Sequence, residues 1–328
     1  MLVTGGAGYI GSHAAKVLAA AGRPVVIYDN LSEGHREAAL GADLVVGDTR
    51  DVPLLRSVIA SRGVTSVMHF AAWAAVGESV RDPTGYYGNN VEGTLSVLRA
   101  MAEEGVPSFV FSSTCAVFGE PIEVPLVESH PTRPINPYGE TKLAIERALP
   151  HYERAYGIHS ICLRYFNAAG ADPDGRLGED HRPERHLIPL ALEAVNGGRP
   201  LQVFGDDYPT PDGTCLRDYI HVTDLAQAHL LALERLEREQ RSSVYNLGNG
   251  RPFSVREVLQ SVARVTGRQV PHTVTGRRPG DPAVLYAAND RIQVELGWIP
   301  RFADLDTIIE TAWRWFQSHP HKYESAQV

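Results

Sequence analysis

The first half of the chain alternates short apolar runs with longer segments of helical periodicity. The apolar runs are LVTG, VVIYD, LVVGD, SVMHFAA, SFVFSST and SICLRYFN. They are continuously apolar and rich in branched residues, which is typical of strands buried on both faces. The helical segments between them are residues 11–21, 51–61, 89–104 and 138–156. This alternation predicts an α/β fold of the Rossmann type, a doubly wound parallel sheet.

The pattern changes after Asn167. Two long loops rich in Gly, Pro and charge, AAGADPDGRLGEDHRPE and FGDDYPTPDGT, surround short elements. We therefore expect a first domain over residues 1–167 and a smaller mixed α/β domain over 168–328. The segment 216–246 predicts a strand and a helix, which we expect to return to the first domain.

Charge and cysteine content exclude several classes of protein. The 328 residues carry a formal net charge of −8, so no partner among nucleic acids or anionic membranes is expected. Cys115, Cys162 and Cys215 form no CxxC, and the chain has no HExxH. No metal ligands are therefore assigned. No positively charged segment precedes an apolar run at the start, so we expect a cytoplasmic protein.

A glycine-rich loop joins the first strand to the first helix. Gly5, Gly8 and Gly11 are spaced GxxGxxG, which brings backbone N–H groups and a helix N-terminus to a pyrophosphate. Alone, this spacing also fits a glycine-rich turn without a ligand. Asp29 ends the second strand, where an acid binds the ribose hydroxyls of the adenosine. An acid there disfavours a 2′-phosphate, so the predicted cofactor is NAD and not NADP.

Two further polar residues have two possible roles each. Asp48 follows the third strand and predicts a contact beside the adenine, or equally an N-cap. Asn89 begins the segment 89–104 and is either a simple N-cap or a cofactor contact.

The stretch NPYGETKLAIERAL predicts the start of a helix with an unusual inward face. Tyr138, Lys142, Ile145 and Leu149 share one side at 3.6 residues per turn. An unpaired ammonium is costly to bury. Either Tyr138 packs in the core with Lys142 at the surface, or the pair is catalytic.

The motifs TGGAGYIG, HFAA, FSSTCAVFGEP and YxxxK together resemble the extended short-chain dehydrogenase/reductase family. Later motifs, among them LRYFNAAGA, YNLGNG and RRPGDPA, are similar to its members that epimerise UDP-hexoses at C4. The resemblance implies that Thr114, Tyr138 and Lys142 are the catalytic residues. The cofactor-binding residues that it implies are Gly5, Gly8, Tyr9, Ile10, Gly11, Asp29, Asn30, Leu31, Ser32, Asp48, Thr49, Phe70, Ala71, Ala72, Ala74, Asn89, Thr114, Tyr138, Lys142, Tyr165 and Phe166.

The resemblance also implies the reaction, which interconverts UDP-galactose and UDP-glucose. Tyr138 takes the C4 hydroxyl proton as a hydride passes to NAD, the 4-keto sugar rotates, and the hydride returns to its opposite face. Lys142 and the positive nicotinamide favour the phenolate that this step needs. Related dehydratases carry an acid beside the Ser/Thr, whereas this chain has Cys115 and Ala116. Elimination of water therefore has no evident catalyst.

A second set of residues is implied to hold the UDP-sugar. Arg217 and Arg278 suit a diphosphate because a guanidinium fork matches phosphate oxygens, although surface ion pairs are the alternative. Phe204 either packs near uracil or lies in the core. The full set is Thr114, Tyr138, Asn167, His186, Leu187, Gln202, Val203, Phe204, Arg217, Tyr219, Arg278, Asp281 and Leu285.

Two departures from the family leave questions open. Some relatives have a cofactor-binding lysine where this chain has Ala74, so one ion pair with the cofactor is missing and the tightness of NAD retention stays open. Leu285 is intermediate in size at a position that walls the sugar pocket, so another UDP-sugar (N-acetylglucosamine, a pentose or a uronate) stays an alternative. A third hypothesis is an NAD-binding regulatory protein without catalysis. The family also implies a homodimer formed by helices 89–104 and 138–156.

Overall fold

The computed structural model describes residues 1–278 and 280–323. The strands are β1 Leu2–Thr4, β2 Val26–Asp29, β3 Asp43–Val46, β4 Ser66–His69, β5 Ser108–Thr114, β6 His159–Tyr165, β7 Asn167–Ala169, β8 Leu201–Phe204, β9 Leu216–His221, β10 Ser243–Leu247, β11 Pro252–Ser254, β12 His272–Thr275 and β13 Val284–Leu285. The helices are α1 Tyr9–Ala20, α2 Val52–Ser61, α3 Val76–Arg81, α4 Pro83–Tyr86, α5 Gly93–Glu104, α6 Pro137–Tyr156, α7 Leu187–Val195, α8 Val222–Glu239, α9 Val255–Thr266, α10 Asp290–Leu296 and α11 Leu305–Ser318.

Seven parallel strands form the main sheet, in the order β10-β6-β5-β4-β1-β2-β3. The chain order reverses between β1 and β4, which is the point where open α/β sheets bind ligands at the carboxyl ends of their strands. The predicted α/β fold with a Rossmann-type sheet is therefore confirmed.

Helices cover both faces of this sheet, as the apolar strands require. On one face, Leu18 of α1 and Leu225 of α8 join a core cluster with Ile161 of β6. On the other face, Leu55 of α2 packs in a cluster with residues of α5 and α6. Burial on both faces explains why β4 and β5 show no alternation of polar residues.

Strand β9 is the centre of a second lobe, which consists of β7–β9, β11–β13, α7, α9 and α11. This strand pairs with β7, β11 and β13, whereas β8 and β12 form a separate two-stranded sheet. Helices α7, α9 and α11 surround a core cluster of their own. Of the segment 216–246, β9 lies in the small sheet, while α8 packs on α1 and β10 is the edge of the main sheet. The division at residue 167 stays a prediction.

The predicted helix 89–104 begins earlier than its pattern suggests. Helix α4 continues through a π-helical turn over residues 87–92 into α5. Asn89 lies inside this run, so the N-cap interpretation is wrong; the cap of α4 is Asp82, whose side chain accepts from Gly85 N. Within residues 1–278 and 280–323, no helix has the length and apolarity that a bilayer span requires.

Candidate active site

The glycine loop is built for a close approach of backbones. Gly5 has φ +70°, and a Cβ there would lie 2.5 Å from Ala71 N. A Cβ on Gly11 would lie 2.1 Å from Gly5 O. Helix α1 starts at Tyr9 with Gly8 as its N-cap, and no side chain caps its first turn. The first N–H groups of α1 are therefore free of a side-chain acceptor, which is the arrangement that receives a phosphate.

The predicted ribose-binding acid lies beside this loop. Asp29 is 6% exposed, and its carboxylate accepts hydrogen bonds from Ala7 N at 2.9 Å and Leu31 N at 2.8 Å. Burial raises the pKa of Asp29, while these two N–H groups lower it. Asn30 and Ser32 follow at the surface, where the Ser32 N–H donates to Asn30 Oδ1. The glycine loop and Asp29 thus lie next to each other at the carboxyl ends of β1 and β2.

Two residues of the loop point away from it. The Tyr9 hydroxyl donates to Gly170 O at 2.6 Å, and Ile10 packs on the core. Only the backbone N–H groups of these two residues are therefore suited to a phosphate.

Asp48 is held by a neighbouring arginine. Arg50 contacts both carboxylate oxygens, at 2.8 Å and 2.7 Å, and lowers the pKa of Asp48 to about 2. The N-cap of α2 is Asp51, which accepts from Leu54 N. The N-cap interpretation of Asp48 is therefore wrong. Thr49 is buried beside it.

The segment after β4 lies against the glycine loop. Phe70 N donates to Thr4 O at 2.8 Å, and its ring packs 4.7 Å from His229. Ala71 and Ala72 are partly buried, whereas Ala74 is exposed. These small residues leave room between the segment and the predicted cofactor position.

A residue that the sequence analysis missed fixes this segment. Asn90 is 2% exposed, accepts from Trp73 N at 2.9 Å and donates to Trp73 O at 3.0 Å. Its amide also donates to Thr141 Oγ1 of α6 at 3.1 Å. Asn90 therefore links the loop after β4 to the helix that carries Tyr138. The sequence could have indicated this role of Asn90, since it is a polar residue near the start of the predicted helix 89–104.

Helix α6 approaches the end of β5 closely because a glycine occupies its first turn. Asn136 caps the helix by accepting from Gly139 N at 2.9 Å. A Cβ on Gly139 would lie 2.5 Å from Ala116 O, so only glycine permits this contact. The approach brings Tyr138 to Thr114, the last residue of β5.

Thr114 and Tyr138 interact in the cleft. Burial raises the pKa of Tyr138 to about 12, although the Thr114 side chain lowers it. In the chain alone Tyr138 is thus a neutral phenol near pH 7. The predicted ionisation needs a further positive charge at the site.

Lys142 lies below Tyr138 with its charge directed at the strand. It is 3% exposed, its ammonium donates to Ser112 O at 2.7 Å, and Nζ lies 5.0 Å from the centre of the Phe111 ring. Burial lowers the pKa of Lys142 to about 7, and the charge of Glu146 raises it. The interpretation of Lys142 as a surface lysine is wrong, and Ile145 and Leu149 are buried as predicted.

Glu146 is a second residue that the sequence analysis missed. It follows Lys142 by one helical turn, pairs with buried Arg164 at 2.5 Å and accepts from Ser113 Oγ. The spacing 138, 142, 146 places all three polar residues on one helix face, and this spacing was the available signal. The negative charge of Glu146 partly offsets the cost of burying Lys142.

Tyr165 and Phe166 end the sixth strand near this group. Tyr165 is 7% exposed, and its hydroxyl hydrogen-bonds Ser112. Burial raises the pKa of Tyr165, and the nearby Tyr138 adds a smaller contribution. Phe166 lies in a cluster with Leu143. Both therefore adjoin the catalytic group.

Some of the predicted substrate-binding residues lie on β9 or contact it. Asn167 Nδ2 donates to Asp218 O at 2.8 Å, and buried Tyr219 is the register partner of Asn167. Leu285 is the register partner of Arg217. Arg217 NH1 donates to Pro282 O at 2.8 Å, and its NH2 lies 3.6 Å from Asp281.

The charge of Arg217 also reaches the catalytic strand. It lowers the pKa of the Cys115 thiol, although burial of that thiol raises the value to about 12 overall. Cys115 directly follows Thr114. The β9 group therefore lies close to the end of β5, where Thr114 is located.

The remaining residues of the predicted substrate set lie in two further places, on and near β8 and at the start of α7. The Arg278 guanidinium stacks on the Phe204 ring, 4.0 Å from its centre. Neighbouring Gln202 is exposed, whereas Val203 is buried in the core of the second lobe. His186 is the N-cap residue of α7 and Leu187 its first residue.

A phosphate-binding loop after β1 and a Thr–Tyr–Lys group at the end of β5, at the same edge of one parallel sheet, are typical of a dinucleotide-dependent enzyme. The chain belongs to the NAD dependent epimerase/dehydratase family, whose sequence model matches residues 1–248. NAD is the cofactor of this family, and the uncapped N-terminus of α1 and the glycine cradle fit its pyrophosphate.

Individual relatives are similar over almost their entire length. The UDP-glucose 4-epimerase of Halalkalibacterium halodurans is 51% identical over 326 residues, which cover 99% of this chain and 98% of the relative. The crystal structure of UDP-glucose 4-epimerase from Brucella ovis in complex with NAD has a TM-score of 0.94 at 51% identity, covering 98% and 97%. The UDP-Glc/GlcNAc 4-epimerase from Campylobacter jejuni has a TM-score of 0.85 at 38% identity, covering 97% and 98%.

Proposed function

We propose that this chain is an NAD-dependent isomerase that interconverts UDP-galactose and UDP-glucose at sugar C4. The proposal rests on the grouping of Thr114, Tyr138 and Lys142 at the same sheet edge as the glycine loop. The identity of about half of all residues to UDP-glucose 4-epimerases supports it.

Bound NAD supplies the hydride acceptor, and the chain supplies the proton transfer. We infer that Thr114 Oγ1 hydrogen-bonds the reacting sugar oxygen and orients it toward Tyr138. Tyr138 takes the C4 hydroxyl proton as a phenolate and later returns it to O4 of the rotated 4-keto sugar, whose C4 would receive the hydride on its opposite face. Because its pKa in the chain alone is about 12 with Lys142 already in place, the phenolate requires the positive charge of the oxidised cofactor in addition to that of Lys142.

The same site has to hold a nucleotide firmly and a sugar loosely, since the 4-keto sugar rotates between the two hydride transfers. Arg217 and Arg278 would bind the diphosphate, and Phe204 would pack against uracil after Arg278 leaves its ring face. Asn167, Tyr219 and Asp281 adjoin Arg217 through β9 and the ion pair, which supports a shared role. His186, Leu187, Gln202 and Val203 complete the proposed substrate set.

Product analysis of a substrate panel tests this function. Purified protein is incubated with UDP-galactose, with and without added NAD, and the nucleotide sugars are separated chromatographically. We expect UDP-glucose to form. An absence of product even after NAD addition, together with calorimetric NAD binding, would instead support the hypothesis of a regulatory protein that has lost catalysis.

A second candidate function is epimerisation of another UDP-sugar. Leu285 pairs with Arg217 and is partly exposed at the cleft, so the pocket wall is aliphatic and of medium size. A relative named for both UDP-Glc and UDP-GlcNAc shares 38% of residues. The panel therefore includes UDP-N-acetylglucosamine, a UDP-pentose and a UDP-uronate.

We further propose a homodimer formed by α5 and α6. Between them lies an open groove of about 800 Å³ whose lining includes Val91, Leu95, Tyr152 and the exposed Tyr156. Packing of the same face from a second copy would bury these side chains in a four-helix arrangement. Sedimentation of Leu95→Glu is expected to show monomers where the unsubstituted protein shows dimers.

The compartment is inferred from the cysteines, and the domain division from the order of the strands and helices. All three cysteines are free, which fits the reducing cytoplasm. We infer that residues 1–167 with α8 and β10 bind NAD, and that the remainder of 168–328 binds the UDP-sugar.

A further inference from the structure

Four side chains that commonly ligate metals meet in the loop before α7. Glu179, His181, Glu184 and His186 each offer one ligand atom, and these atoms all lie within 4.8 Å of one another. The His181 Nδ1 lies 3.0 Å from Glu179 Oε1 and 3.9 Å from Glu184 Oε1. The His186 Nδ1 contacts the same Glu179 oxygen and lies 3.7 Å from Glu184 Oε1.

We propose that these four residues form a binding site for a divalent transition-metal ion, with Zn²⁺ as the preferred ion. Two imidazole nitrogens and two carboxylate oxygens form a donor set that Zn²⁺ accepts in tetrahedral geometry. Donors at about 2.1 Å from one ion lie about 3.4 Å from each other. The separations of 3.0 Å to Glu179 Oε1 and of 3.7 and 3.9 Å to Glu184 Oε1 surround that value. His186 Nδ1 lies closer to Glu179 Oε1 and would move away from it when both bind the ion.

The Glu184 side chain gives an independent indication that a cation binds to this cluster. Its side chain is only 3% exposed. Oε1 accepts from the N–H groups of Arg185 and His186. Oε2 is buried and has no hydrogen-bond partner within residues 1–278 and 280–323. A buried carboxylate oxygen without a partner is unfavourable, and a cation held by the cluster would satisfy it.

Simple ion pairing explains the cluster less well. Two protonated imidazoles would neutralise the two carboxylates, but the His181 and His186 rings are only 5.3 Å apart and both Nδ1 atoms are directed at one oxygen of Glu179. Two adjacent cations repel each other, and Glu184 Oε2 would still lack a partner. One divalent ion between two neutral imidazoles and two carboxylates gives the same net charge and uses all four groups.

The ion would fasten this loop to the cofactor side of the cleft. The His181 ring meets the ring of Tyr9, the first residue of α1, edge to face at 6.3 Å. His186 is the N-cap residue of α7, and its side chain is 52% exposed. Ligation through Nδ1 leaves Nε2 of His186 free to donate, so the predicted substrate contact of this residue is retained.

The sequence predicts no metal site if only CxxC and HExxH are considered, since the chain contains neither motif. The ligands here follow the pattern Glu-x-His-x-x-Glu-x-His, in a loop rich in charge. The proposal does not depend on the proposed function, because it concerns ion binding and not turnover.

Metal analysis of the tag-free full chain tests the site. The protein is stripped with a chelator, incubated with Zn²⁺, dialysed and analysed by mass spectrometry for metal per chain. We expect about one Zn²⁺ per chain, and at least a tenfold loss of affinity in Glu179→Gln and His181→Gln. His272→Gln, at an exposed histidine outside the cluster, is the matched control and should bind like the parent.

A spectroscopic measurement guards against variants that fail to fold. Co²⁺ added to the stripped unsubstituted protein should give the intense visible bands of tetrahedral coordination, saturating at one equivalent and displaced by Zn²⁺. Weak octahedral bands or no saturation would overturn the proposal. So would Zn²⁺ binding that persists in folded Glu179→Gln and His181→Gln, or that is lost equally in His272→Gln.

Discussion

The Lys142 ammonium donates to the main-chain carbonyl of Ser112 at 2.7 Å and is almost completely buried. One carbonyl and the face of an aromatic ring replace only part of the hydration that the ammonium loses. Burial therefore lowers the pKa of Lys142 to about 7. Between pH 7 and about 10, the unfolded chain then binds one proton more than the folded chain, so this group makes stability rise with pH.

Lys142→Met should remove this dependence. In the NAD-free protein, the free energy of unfolding of the variant relative to the parent is expected to fall by about 4 kcal/mol from pH 7 to pH 10. Urea unfolding at several pH values measures this difference. Lys16→Met, at a lysine on α1 paired with Asp172 and Asp174, is the matched control. An equal change of slope in both variants would contradict the assignment.

The spacing of Tyr138 and Lys142 was sufficient to predict their shared helix face. It was not sufficient to predict the acceptor of the ammonium, since Ser112 lies on a strand 30 residues earlier and only the fold brings it close. The strands of the main sheet could be predicted because burial on both faces leaves a local signature. The position of β9 could not, because its small sheet depends on pairing with distant segments.

Tyr138→Phe tests the proposed proton transfer. Removing one hydroxyl leaves the ring and its packing, so UDP and NAD binding should be unchanged. Loss of a positioned general base is expected to lower kcat by roughly 10²- to 10⁴-fold. Steady-state kinetics with UDP-galactose and calorimetry with UDP measure the two effects. Unaltered turnover would refute the role of this residue.

Asn90 is expected to act as a positioning residue through Thr141. Thr141→Val removes the acceptor of the Asn90 amide, whereas Thr141→Ser retains it. A buried amide that loses its partner costs about 1–3 kcal/mol. We expect a lower Tm and a lower kcat for Thr141→Val, with both largely restored in Thr141→Ser. Equal kcat values in the two variants would show that the link between the loop and α6 does not position the site.

Ala74→Lys should strengthen NAD retention. Ala74 is exposed after β4, and an ammonium there is expected to reach a cofactor phosphate. A charge-assisted hydrogen bond contributes about 1.5–3 kcal/mol, so NAD affinity should rise by roughly tenfold or more. The NAD content after extensive dialysis measures this. Val80→Lys adds the same charge at an exposed position of α3 and should leave the NAD content unchanged.

Leu285→Tyr should narrow the acceptance of sugars. The side chain lies on β13 opposite Arg217 of β9, so a larger ring extends into the cleft beside the proposed diphosphate site. An N-acetyl group needs more room than a hydroxyl, and a clash costing 1.4 kcal/mol changes a rate constant tenfold. We expect the ratio of kcat/KM for UDP-N-acetylglucosamine over UDP-glucose to fall at least tenfold. Leu285→Met, which conserves volume, should retain the parent ratio; a ratio that is insensitive to both changes would place the pocket wall elsewhere.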